Sequence, residues 1–189
     1  MTSSLVARTA PEALRQYEEP IQQALAGFAR NTHLIHAGSG VAPDTRLLTP
    51  ADEVIELRDA HSTPRLALAV ELHYRAAPLP APQGGSQRFT VQTVQYIYRL
   101  DDAAVPHQPI VGYHWHPHVE GVPFPHVHPY LAGSGGGRLH IVVAHATLYE
   151  VFATAVREFY VQPIKTDWTR CLREADTVLR ASLEWAAAR

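Results

Sequence analysis

A single cysteine, Cys171, stands in 189 residues, so no internal disulfide framework is available and a reducing, cytoplasmic setting is expected. Lysine is almost missing too. Lys165 is the only one, and every other basic side chain is arginine. No charge of one sign dominates: 16 Lys and Arg face 18 Asp and Glu for a formal net charge of −2. The molecule as a whole therefore has no basic field to gather nucleic acid, and only a local patch remains open. No segment approaches the roughly 18 consecutive apolar residues of a membrane-crossing helix. The opening Met1-Thr2-Ser3-Ser4-Leu5 lacks the basic region and apolar run of a secretion leader, so neither secretion nor a membrane partner is expected. No internal repeat is found, and the one low-complexity patch, residues 133–137, reads as a flexible hairpin connection.

What is present is enough apolar material, 46% of residues, for one domain over residues 1–189 with a core of its own. Thr9-Ala10-Pro11-Glu12 has capping-box spacing and opens a helix whose apolar face is Leu14, Tyr17, Ile21, Leu25 and Phe28. Pro20 is expected to kink or divide that helix, and Gly38-Ser39-Gly40 to stop it. In residues 65–75, Leu66, Leu68, Val70, Leu72 and Tyr74 alternate with polar or small partners, the period of a half-buried strand. Residues 89–100 form a second strand whose apolar phase slips near Thr93, which predicts a bulge. Val111, Tyr113 and Trp115 point one way in residues 110–116, with His114 and His116 opposite. By the same alternation Leu139, Ile141 and Val143 pack inward and Arg138 and His140 outward. Thr147-Leu148-Tyr149-Glu150 is a second capping box, and a helix from it presents Leu148, Val151, Phe152, Ala155, Val156 and Phe159 before Pro163 ends it. A last helix begins near Thr166 or Asp167 and buries Trp168, Leu172, Ala175, Leu179 and Leu183. The expected fold is α+β: an antiparallel sheet of about five strands, one face covered by the N- and C-terminal helices. The other face carries Glu71, His73, His114, His116, Arg138 and His140.

Histidines concentrate where the chemistry is expected. Eight of the twelve lie between His107 and His145, and five of these in residues 113–130. Histidines two apart on a strand share a face, and two such pairs exist, His114/His116 and His126/His128. Pro117, Pro123, Pro125 and Pro129 stiffen the connection between them. The set suits ligation of a divalent metal, zinc or manganese, by His114, His116, His126, His128 and Glu120. It equally suits acid–base work by His114, His116, His126, His128 and His140, with Arg138 as a phosphate partner. A plain polar sheet surface is the bland alternative.

Named patterns give three readings. His114-x-His116-x-x-x-Glu120 resembles part of the first cupin motif, which implies a metal held by two histidines and a glutamate; the later glycine-rich cupin motif is not evident. His61-Ser62-Thr63 and His145-Ala146-Thr147 resemble the paired His-x-Thr units of 2H phosphodiesterases, which imply acid–base attack on a cyclic phosphate. Tyr113-His114-Trp115-His116-Pro117, then Pro125-His126-Val127-His128, with Val161-x-Pro163 and Asp167-Trp168 beyond, resembles uncharacterised bacterial proteins bearing that signature. More distantly the chain is similar to TumE-type toxins of toxin–antitoxin pairs. That resemblance covers residues 90–170 and implies an α+β protein acting on nucleic acid, with His114, His116, His126 and His128 at the matching positions. The toxins' Trp-Asp-Asn-Ala-Pro-His-His piece is absent. The combined expectation is hydrolysis of phosphoester bonds in nucleic acid or nucleotides. A non-catalytic metal- or partner-binding protein is the rival, with an antitoxin-like chain or a second copy as partner.

Overall fold

A computed structural model describes residues 5–30, 32–38, 41, 44–81, 85–105, 108–118, 122–130 and 139–187. Helix α1 (Ala10–Leu25) is followed by eight strands: β1 (Leu34–Gly38), β2 (Arg46–Pro50), β3 (Ile55–Arg58), β4 (Pro64–Leu79), β5 (Arg88–Asp102), β6 (Pro109–Trp115), β7 (His126–Pro129) and β8 (Ile141–Val142). Helices α2 (Leu148–Phe159) and α3 (Trp168–Ala187) complete the order. The fold is α+β with one antiparallel sheet, in the order β1-β2-β4-β5-β6-β7-β8. Strand β3 pairs with the first half of β4, and β2 with the second half of the same edge.

The long pair β4–β5 is the backbone of the sheet. Leu66, Leu68, Val70, Leu72 and Tyr74 of β4 and Val91, Tyr96, Tyr98 and Leu100 of β5 are all buried against the helices. Their register shifts between His73 and Tyr74, where Gln95 and Thr93 are the partners, so Val94 is the extra residue. The bulge restores the inward phase for Tyr96 and Tyr98, as the slipped apolar pattern near Thr93 anticipates. Thr93 itself is turned into the core, where Tyr17 Oη lies 2.9 Å and Ser182 Oγ 2.7 Å from its hydroxyl. Ser182 donates to Leu179 O, so the chain runs one way, Tyr17 to Thr93 to Ser182 to the α3 backbone.

Several expectations change. Among the described residues the sheet has eight strands, not about five. Helix α1 continues through Pro20 and ends at Leu25, well before Gly38, and residues 34–38 form edge strand β1. Leu139, Ile141 and Val142 are about half or more exposed, at 53%, 47% and 64%, and Val143 is only half-buried, so they do not pack inward. Strand β8 is the outermost of the sheet, beyond the helical layer. A sheet face without a layer on it has no core to supply. Helix α2 starts from Thr147 with both capping-box bonds, and its C-cap is Tyr160 at φ 56°, three residues short of Pro163. Among the described residues no helix is long and apolar enough to cross a membrane.

Candidate metal centre

The two histidine pairs meet because β6 and β7 are neighbours in antiparallel register. His114 pairs with His126, and Gly112 with His128. Tyr98–Tyr113 and Leu100–Val111 occupy the core side of the same strands, so these histidines project from the face opposite the helices. Ring centroids are 5.7 Å apart for His114/His126, 4.5 Å for His114/His128 and 4.8 Å for His126/His128. One nitrogen from each of the three lies within 4.8 Å of the others, and the trio could hold a metal ion. Ligation at about 2.0–2.1 Å and a near-tetrahedral angle places nitrogens about 3.3 Å apart, so imidazole rotation has to draw them in by up to about 1.5 Å.

Protonation also favours ligation. His126 is fully buried, and its Nδ1 lies 2.8 Å from the carbonyl of Phe124. A carbonyl only accepts, so Nδ1 carries a proton, and the neutral ring in this tautomer has its lone pair on Nε2. That Nε2 is buried with no hydrogen-bond partner among the described residues, and so is Nε2 of His114. Pro123 and Pro125 flank Phe124 and limit the movement of the accepting carbonyl. Burial, followed by His128, His126, His116 and Arg99, lowers the pKa of His114 to about 3, which keeps it neutral. Gly112 makes the room: a β-carbon there would stand 2.5 Å from His114 Nε2. A glycine inside an alternating strand is the signal that could have marked this position.

The remaining predicted residues are distributed unevenly. His116, just past the end of β6, packs its ring 5.0 Å from His126, and burial, then His126 and His140, lowers its pKa. His140 stacks on His126 at 4.8 Å and 7° and meets His128 at 4.3 Å. Glu120 and Arg138 lie outside the described residues, as do residues 133–137. His73 is on the expected sheet face yet covered, 5% exposed, with Glu71 Oε2 3.7 Å from its Nε2. His61 sits in the β3–β4 turn, whereas His145 packs on Trp115 at 4.6 Å, on the core side of β6. Nothing among the described residues brings His61 and His145 together, and Thr147 is occupied as a helix cap. The single open sheet has one helical face and is not the two-sheet jelly roll that the cupin reading implies.

Sequence reasoning did not single out Arg99. It faces the histidine side opposite Gly112 on the neighbouring strand and forks onto Asp101 with bonds of 2.7 and 2.9 Å. On the other side of Arg99 opens a cleft of about 660 Å³, whose charged lining among the described residues is Asp52, Glu53, Glu71, Asp101 and Asp102 with Arg99. No family model, curated protein or solved structure matches this chain.

Proposed function

We propose that the protein is a metal-dependent hydrolase of small phosphoesters, with zinc held by His114, His126 and His128. The observation that carries this reading is the buried Nε2 of His126, which has no partner among the described residues and whose opposite nitrogen donates to the Phe124 carbonyl. That arrangement orients a ligand histidine and raises its basicity. An all-nitrogen set favours zinc over manganese, which prefers oxygen donors. Three protein ligands leave a position for water, as in catalytic zinc sites, where the ion lowers the pKa of water to about 7 and polarises the ester.

Substrate size follows from charge. Five carboxylates against one guanidinium, itself bound to Asp101, make the adjoining cleft repel further phosphates. The site therefore suits a nucleotide-sized ester better than a nucleic-acid strand. Tag-free protein should bind about one zinc per chain and hydrolyse a chromogenic phosphate ester, and His126→Ala should lose both. Full zinc loading without turnover on phosphate mono- or diesters would leave the non-catalytic metal-binding reading in its place.

A further inference from the structure

We infer that His116 and His140 bind the substrate and not the metal: the histidine face is built in two layers, and the outer one is an oxyanion-binding pair. This rests on the metal-dependent reading above and adds to it the groups that receive the ester's charged oxygens.

The layers are visible in burial. His126 is 0% and His128 7% exposed, and His114 is half-buried beneath neighbouring rings, whereas His116 is half-buried at the end of β6 and His140 is exposed. Both outer rings touch the inner set, at 5.0 Å between His116 and His126 and 4.3 Å between His140 and His128. They lie on its solvent side.

His116 and His140 stand outside the ligand set: among the described residues only His114, His126 and His128 bring ligand nitrogens within 4.8 Å of one another. The His140 ring lies 7° from the plane of the His126 ring with centroids 4.8 Å apart, and it meets His128 at 4.3 Å, so it packs against the trio without joining it.

A neutral imidazole that binds no metal still has one N–H to donate. Two such donors over an ion match a tetrahedral anion, with one oxygen on the metal and others on the rings, where donors to a charged oxygen are most effective.

The test uses the full chain loaded with zinc, with metal content read by elemental analysis and inorganic phosphate binding by calorimetry. His116→Ala and His140→Ala should each keep about one zinc per chain yet weaken phosphate binding about tenfold, the loss of one hydrogen bond to a charged group. His116→Gln and His140→Gln, which retain an N–H donor, should recover part of that affinity and guard against a folding defect. Loss of zinc in His140→Ala or His140→Gln would make the residue a ligand and overturn the inference. Unchanged phosphate affinity in both alanine variants would overturn it as well. If the unaltered chain takes up no zinc, the metal reading itself has failed, a result seen before any phosphate is added.

Discussion

Gly112 and His114 are two residues apart on one strand, and the first exists to make room for the second: a β-carbon on Gly112 would stand 2.5 Å from His114 Nε2. Real carbon atoms do not approach so closely, so the imidazole would have to leave. Gly112→Ala should therefore fold with little change in thermal stability and lose zinc affinity by tenfold or more, read by competition with a chromogenic chelator. Retained affinity would show that His114 is not a ligand. Tyr130, 3.5 Å from the same added carbon, limits the direction of escape.

Acid should weaken the metal-free fold earlier than carboxylates alone explain. Burial first, then neighbouring histidines, depresses His114 to about 3, and burial also lowers His116 and His145. A histidine with a folded pKa below its unfolded value of about 6.5 takes up protons preferentially when unfolded. Its contribution is fully present above about pH 6.5 and is lost as pH falls towards the folded value. Asp59 and Asp167 are held low by hydrogen bonds from Thr63 N and Arg170, and Glu71 by the His73 ring 3.7 Å away, and these carboxylates act only near and below about pH 4. The urea midpoint at pH 5 should thus lie below that at pH 7.5, and an unchanged midpoint would refute the assignment.

Zinc should raise the melting temperature of the unaltered chain. Free metal at a hundred times its dissociation constant contributes about 2.7 kcal/mol if the unfolded chain does not bind it. The rise should disappear in His126→Ala and survive in His36→Ala, whose ring instead lies 3.2 Å from the Tyr74 hydroxyl, on the core side of the sheet.

Thr147→Ala should cost about 1–2 kcal/mol at an unchanged denaturant slope. The buried hydroxyl accepts from Tyr149 N and donates to Asp176 Oδ1 at 2.6 Å, so its loss opens the start of α2 and leaves a carboxylate of α3 short of a donor. Equal midpoints for the two proteins would contradict that role.

Much of this was legible because alternation along a strand reports directly on burial. Val111, Tyr113 and Trp115 on one side put His114 and His116 on the face away from the core, and Thr93 announced its bulge through a broken phase. What alternation cannot report is a strand without a cover. Strand β1 has four exposed residues in five and carries no readable period, and β3 alternates but over only four residues, too few to stand out. Leu139 and Ile141 carry the period of a core strand but lie beyond the helices, which shows that apolar spacing predicts a face and not what is packed against it. The convergence of β6 with β7 depended on pairing register, which no single stretch of sequence contains.

The one-way chain from Tyr17 to Thr93 to Ser182 has a consequence for how the protein is made. Its three members come from α1, the middle of β5 and α3, so synthesis delivers the first two long before the last. Until residue 182 has been added, the Thr93 hydroxyl has no acceptor in α3, and the part of the sheet that α3 covers stands open to water and to other chains.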